Sequence, residues 1–409
     1  MKKFLFKTLL GFALIFITFF GITMFLEYKN KDKINSNINV KVEVIDGEIQ
    51  LPKTPDKVQA NYEFSKSYFY LGYVIVIIVP LLFKAYGGIE VIKNRKFKHK
   101  WTEGLFLSFL FLLFSWILTL PKSFFSGFYR ARLIGLSNES FYSYITGNII
   151  DNSIDILTTL PILMIFYLIY LKFNKWYFIV GIITIGLYLG ENYLYPYLDE
   201  IQNNLVAMED GEIKEKVLEL AENVGIKNLE VMVIPKSEET NSINAYMTGI
   251  GKSRRIVFWD TTLKQLNEQE IISVAAHEMG HYKLKHIQKS MMLSMITSFM
   301  ALILLNAIME KQEGKNYRNI DNLPKLIFIL NIITLIITPI ELAYSRKIET
   351  EADKFAIEKT GDYFTNGALE IKFIESNLSP VDVDKLYKYF ACSHPTTKER
   401  IELSNSYVK

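Results

Sequence analysis

The sequence predicts a mainly α protein, a seven-helix transmembrane bundle or barrel joined to a polar α+β region that contains a small β-sheet. Two observations carry this expectation. The apolar residues are gathered into long, nearly uncharged blocks, and between the fifth and sixth block lies a polar stretch where helical periodicity and strand-like runs take turns. Half of the 409 residues are hydrophobic and 14% are aromatic, too apolar for an ordinary soluble chain of this length. The single cysteine, Cys392, excludes an internal disulfide and any cysteine-based metal site. A net charge of +3, with no basic stripe interleaved by aromatic residues, argues against a nucleic-acid partner.

The blocks are residues 4–26, 68–83, 105–120, 156–171, 176–189, 291–309 and 326–342. Several are shorter than the roughly 20 residues that span a bilayer, but their flanks at 64–67, 121–125 and 191–198 extend them. Buried core helices of a soluble protein would explain a few such blocks, not all of them, so the lipid bilayer is the expected surrounding. The first block has a long apolar core and no small-residue cleavage site after it, so it reads as a retained anchor rather than a removed signal. Glu191 and Glu341, at the ends of the fifth and seventh blocks, are costly in lipid; they face either the bundle interior or the headgroups.

The chain divides into four segments. Residues 1–198 hold five membrane helices and a polar loop at 27–66, where 40–45 alternates weakly like a short strand. Residues 199–287 are polar. There Ile213, Val217, Leu220 and Ala221 form an apolar stripe at helical spacing, which Gly225 stops. Residues 229–234 are rich in strand formers, and 244–247 with 255–259 flank Gly249-Ile250-Gly251 in a β-hairpin pattern. Asn267 with Glu270 marks a capped helix start, and that helix is expected to continue unbroken through Lys283 and His286 into the sixth block. Residues 288–344 carry membrane helices six and seven, and 345–409 a second polar helix and a helical tail.

The helix that starts at Asn267 carries His277-Glu278-Met279-Gly280-His281. Positions i and i+4 share a helix face, so two imidazoles can grip one Zn²⁺ while the glutamate between them reaches a water held there. Zinc lowers the pKa of such a water toward about 7, and Glu278 can take its proton. A catalytic zinc usually has a third protein ligand. The polar helix after the seventh block offers Glu349, with Asp353 one turn on to hydrogen-bond a ligating imidazole and hold its tautomer. Glu351 points elsewhere and is expected to be exposed. Two crossings separate the motif from this helix, so both lie on one side of the membrane. The residues alone also admit a helix with two solvated histidines and a merely solvated acidic helix.

The His277-Glu278-x-x-His281 motif, followed after a helical hairpin by Glu349-x-x-x-Asp353, resembles the integral-membrane CAAX prenyl protease type I family of gluzincin zinc endopeptidases. The similar text extends to Asn244-Ala245-Tyr246, Arg255-Ile256-Val257 with Asp260-Thr261, Ser393-His394-Pro395 with Arg400, and more weakly to 136–140. It covers essentially the whole chain and is strongest from 240 to 400. The resemblance implies that His277, His281 and Glu349 bind one zinc per chain and that Glu278 is the general base. It implies that Asp353 steadies a ligating histidine, that Arg400 pairs with Asp353 or a neighbour, and that His394 helps stabilise the oxyanion. By its residues alone His394 reads as a surface turn residue. The strand at Asn244, Ala245 and Tyr246 would hold a substrate backbone extended.

The expected activity is therefore zinc-dependent hydrolysis of peptide bonds in peptide or protein substrates that are thin, hydrophobic or lipid-modified. A Lys-, Ile- and Asn-rich chain without an endoplasmic-reticulum retention tail points to a bacterial plasma membrane, where damaged membrane polypeptides are a better expectation than prenylated proteins. Basic residues at the amino terminus and in 87–103 place those segments in the cytoplasm and the catalytic segment outside. The resemblance places the catalytic side in the cytosol, which is the expectation adopted. Two alternatives remain from the sequence: a membrane carrier or receptor with structural or transported zinc, and a membrane-protein quality-control protease with the same chemistry.

Overall fold

The computed structural model describes residues 1–249 and 253–408. Ile250 and Gly251, expected in the hairpin turn, lie outside the described residues. From the amino terminus, α1 (Lys2–Lys29) is followed by a short α2 (Lys31–Ile34) and a two-stranded ribbon, β1 (Val44–Ile45) and β2 (Glu48–Ile49). Next come α3 (Asp56–Ala85), a short α4 (Gly88–Lys93) and α5 (Lys100–Ser123), which passes through a π-helical segment, Phe124–Tyr129, into α6 (Arg130–Leu133). Helices α7 (Phe141–Lys172) and α8 (Trp176–Asn203) complete the first five membrane-length elements.

The polar region opens with β3 (Val206–Ala207) and α9 (Glu212–Asn223), then β4 (Glu230–Ile234), β5 (Ala245–Thr248) and β6 (Arg255–Trp259). A short α10 (Asp260–Gln265) leads to α11 (Glu268–Lys283), which carries the histidine motif. Helices α12 (His286–Glu313) and α13 (Leu323–Thr360) are the last two crossings, and α14 (Tyr363–Ser376), α15 (Lys385–Ala391) and α16 (Thr397–Asn405) form the tail. The expected class is what the chain adopts: mainly α, with seven helices among the described residues long and apolar enough to span a bilayer, and a small mixed sheet.

Physical reasons are visible element by element. Leu5, Phe6, Leu9, Leu14 and Ile17 of α1 are exposed, an outer surface suited to lipid rather than water. In α9 the expected stripe buries Val217, Leu220 and Ala221, and Gly225 takes the left-handed φ of +72° that lets the chain leave the helix. The four-stranded sheet has the order β3-β4-β6-β5, parallel between β4 and β6 and antiparallel elsewhere. Strand β6 is central, and Ile256, Val257 and Phe258 are fully buried. One core unites this sheet with α9 and α11 through Val217, Val231, Met247, Phe258, Ile271, Ala275 and Met279. The Asn267–Glu270 capping box starts α11 as expected, satisfying two helix-end donors reciprocally.

Three expectations are corrected. The motif helix does not run into the sixth crossing: it ends at Lys283, and Lys285 sits at φ 58° and ψ 40° before α12 begins. No glycine or asparagine marks that left-handed residue, so the break has no local signature. Conversely, the second polar helix is not separate, because α13 continues from the membrane through Glu349 to Thr360, and the division placed at 344 falls inside it. Composition changes there, but every residue from 340 to 360 tolerates a helix. Of residues 40–45 only Val44 and Ile45 pair in a strand.

The bundle encloses a cavity of about 550 Å³ between α5, α7, α8, α12 and α13. Glu341 lines it and accepts a 2.5 Å hydrogen bond from Thr297 Oγ1. Glu191 is exposed instead.

Candidate metal centre

The capping box sets the start of α11, and His277 and His281 then fall one turn apart on the face turned toward α13. Helix α13 lies close because α11 offers Gly280 there: a Cβ at that position would stand 3.2 Å from Phe355 Cβ and 3.3 Å from Ala352 Cα. Along the facing stripe α13 buries Ile348, Glu349, Ala352, Asp353 and Ala356. The two helices together therefore deliver both imidazoles and one carboxylate to one spot.

The geometry there is a triangle. His277 Nε2 and His281 Nε2 are 3.0 Å apart, His277 Nε2 lies 3.3 Å from Glu349 Oε2, and His281 Nε2 lies 3.4 Å from Glu349 Oε1. Zinc bonded tetrahedrally at about 2.0–2.1 Å holds neighbouring donors roughly 3.3–3.4 Å apart, so the spacing fits that ion. Glu349 Oε2 is buried and accepts no hydrogen bond, a state a buried carboxylate oxygen keeps at a penalty unless a cation faces it. Among the described residues, His277, His281 and Glu349 form the group of metal-ligating side chains, with donor atoms within 4.8 Å of one another.

Each imidazole is held from behind. His277 Nδ1 donates to Asp353 Oδ1 at 2.8 Å, and Asp353 is fully buried. Burial opposes a charge on His277, but the Asp353 and Glu349 carboxylates outweigh it and push the imidazole up to about 10. A cation and a proton thus compete for the same place. Arg400 forks onto Asp353, with Nε 2.8 Å from Oδ2 and Nη2 on Oδ1, so the expected Arg400–Asp353 pair is formed. The same guanidinium reaches Glu370 Oε1 through Nη1 at 2.9 Å. Burial pushes the Glu370 carboxyl up to about 7 although Arg400 pulls the other way. On the other side, His281 Nδ1 is 3.0 Å from His286 Nδ1, and His286 Nε2 is 3.2 Å from Glu351 Oε2.

Glu278, His277, His394, Arg400, Asn244 and Ala245 line a pocket of about 420 Å³ beside the triangle. Burial pushes the Glu278 carboxyl up. His394 turns Nε2 to within 3.5 Å of Glu349 Oε2, while Ser393 Oγ is 2.9 Å from its Nδ1. Its imidazole is 61% exposed, open to the pocket rather than packed away. Strand β5 is the edge of its sheet beside this pocket. Ala245 N–H donates to the side chain of its own neighbour Asn244, at 3.0 Å. Tyr246 is different. Its hydroxyl donates to Asp199 Oδ2 at 2.5 Å, tying the sheet to α8, and its side chain is not among those lining the pocket.

Glu370 and the His286–Glu351 pair were invisible in the sequence. Glu351, expected to be exposed, is half-buried and bonded. Glu370 has no spacing relation to the motif, and His286, five residues past His281, belongs to another face of a continuous helix.

A sequence profile described as peptidase family M48 matches residues 207–406, and one described as the CAAX prenyl protease N-terminal region, five membrane helices, matches residues 51–199. An uncharacterized metalloprotease of Bacillus subtilis, YhfN, is 30% identical over 356 residues, 81% of this chain and 82% of its own. The chain belongs to peptidase family M48. Among M48 relatives, CAAX prenyl protease 1 of Saccharomyces cerevisiae is 26% identical across 96% of this chain and 93% of its own. The crystal structure of S. mikatae Ste24p shares the fold, with a TM-score of 0.75 at 24% identity, over 97% of this chain and 99% of that one. This M48 protein is a multi-pass membrane metalloprotease, similar to the CAAX prenyl proteases, and so a hydrolase. The carrier reading falls with that assignment.

Proposed function

We propose that this M48 protease is a zinc endopeptidase, with one Zn²⁺ per chain held by His277, His281 and Glu349 and with Glu278 as its general base. The observation that carries this reading is the triangle of 3.0, 3.3 and 3.4 Å between the three donor groups, closed by a buried carboxylate oxygen that accepts no hydrogen bond. Zinc in that place supplies Lewis acidity to the scissile carbonyl and to water. Glu278 takes a proton from the attacking water and returns it to the leaving amine, a task matched to a carboxyl that burial has raised. His394, with Ser393 at Nδ1, presents Nε2 to the developing oxyanion, where one donor contributes about 3–4 kcal/mol. Asp353 and Arg400 keep the His277 ring in position.

The substrate lies extended along the edge of β5, where Asn244 and Ala245 face the pocket, and adds a strand through backbone hydrogen bonds. Tyr246 serves this strand through its main chain and its anchor on Asp199. A pocket of about 420 Å³ admits an unfolded peptide and not a folded domain. The relatives are named for prenylated substrates, and the apolar cavity within the bundle supports hydrophobic or lipid-modified peptides as the class here. We place the protein in a bacterial plasma membrane with the site on the cytosolic side. Loop 27–66 carries seven lysines against seven acidic residues and lies on the side of the site, packing on the catalytic tail with Val40 on Glu375 and Ile49 on Asn405.

Zinc content of the detergent-purified protein, with peptide cleavage before and after chelation, tests the reading. About one zinc per chain and cleavage that chelation removes and zinc restores are expected; Glu278→Gln keeps the zinc and loses about 10²–10⁴-fold in turnover. Unchanged cleavage by that variant overturns the assignment. Cys392, the sole cysteine, reports the side: an impermeant maleimide should label it in opened cells and not in intact ones.

A further inference from the structure

His286 is 1% exposed, and both of its ring nitrogens are engaged. A buried histidine placed between a metal ligand and a carboxylate is not explained by packing alone. With zinc on His281 Nε2 and a neutral His286, the proton assignment around it has one self-consistent form. His281 directs Nε2 at His277 and Glu349, where the proposed zinc would take its lone pair, so its proton would then sit on Nδ1. That N–H donates to His286 Nδ1 at 3.0 Å, which must then be an acceptor, leaving the His286 proton on Nε2. The Nε2–H donates to Glu351 Oε2 at 3.2 Å, and a carboxylate can only accept.

The backbone agrees. In an unbroken helix, a residue five positions after His281 would point about 140° away from it. Lys285, at φ 58° and ψ 40°, breaks the helix and brings the His286 ring back under His281. A lysine in the left-handed region is unfavourable for an L-residue and persists where the surrounding structure demands it.

We infer that His286, backed by Glu351, is a positioning residue that fixes the tautomer and ring orientation of His281, the second metal ligand. Asp353 does the same for His277, so each histidine has its own support: a buried, Arg400-bound aspartate for one, a histidine–glutamate relay for the other. The inference rests on the zinc reading above and adds two residues to it.

The test is zinc affinity of the full-length protein in detergent, measured by competition with a chromophoric chelator. His286→Phe keeps an aromatic ring but removes both hydrogen bonds, and should weaken zinc about 10–100-fold. His286→Gln, whose amide can accept from His281 and donate to Glu351, should recover most of that loss. Glu351→Leu, on a half-exposed helix face, should weaken zinc severalfold with the melting temperature of the metal-free protein unchanged. This last variant decides the matter should His286→Phe not fold. Lys285→Gly should bind zinc like the wild type. Wild-type affinity in both His286→Phe and Glu351→Leu, or no recovery in His286→Gln, overturns this inference alone. A wild-type protein that binds no zinc overturns the zinc reading and this inference with it.

Discussion

Helix α11 has 16 residues, starts at a capping box and ends before the membrane, whereas α13 has 38 and emerges from the membrane without a break to reach the same site. The two histidines on α11 are aligned by local geometry alone, since any helix puts positions i and i+4 on one face. Glu349 on α13 is aligned by tertiary packing: by the hairpin with α12, by the close approach at Gly280, and by the Asp353–Arg400 fork. Half of this metal site is thus a property of a sequence window, and the other half is a property of how two regions of the protein dock. Perturbations where α13 docks should therefore change the geometry of the site, while those of the motif side chains on α11 change its chemistry.

The largest effect expected from α13 is that of Asp353→Ala. It strands the largely covered Arg400 with Glu370 as its remaining partner and frees the His277 ring, and removing one member of a buried ion pair typically costs about 3–5 kcal/mol. Thermal unfolding and zinc content of the variant should both fall; retention of both would show that the fork does not hold α13 in place.

Glu370 sharpens the same comparison through pH. Its carboxyl is pushed up to about 7 in the folded chain, from an ordinary value of 4.5, so between those values the folded protein binds more protons than the unfolded one. Stability must then fall as pH rises through that window, by roughly 3 kcal/mol from this group. In metal-free protein, Glu370→Gln cannot ionise and should flatten the decline in melting temperature between pH 5 and 7. An equally steep decline in the variant would locate the titrating group elsewhere.

Gly280→Val should have the smallest effect on stability, about 1–3 kcal/mol from overpacking against Phe355 and Ala352. Its effect on the metal should be larger in proportion, because it wedges the two ligand-bearing helices apart. A variant that loses stability but keeps zinc affinity would mean that α13 follows α11 as they separate.

Where the site and fold were legible in the sequence, the signal was local or massive. The histidine motif, the Asn267–Glu270 cap, the β5–β6 pairing and the uncharged blocks are each read from a window or from composition. Asp353 was legible because it repeats the spacing of Glu349 by one turn. The left-handed Lys285 carries no glycine or asparagine to announce it, and with it the fold-back of His286 was lost. Glu370 was missed for a different reason: its importance comes from Arg400, brought beside it by the packing of α14 on α16. The continuity of α13 across 344 was hidden by a change in polarity that leaves helix propensity intact.

That continuity has a mechanical side. From Leu323 to Glu349 the helix runs about 39 Å with Pro339 inside it, so if it pivoted as one piece at its far end each degree of tilt would carry the carboxylate roughly 0.7 Å. A metal–ligand bond tolerates about 0.2 Å. Membrane helices tilt as the bilayer thickens or thins around them. The contact of Gly280 with Ala352 and the fork of Arg400 on Asp353 therefore act as a bearing at the end of a lever, holding the carboxylate still while the rest of the rod rides on a moving film.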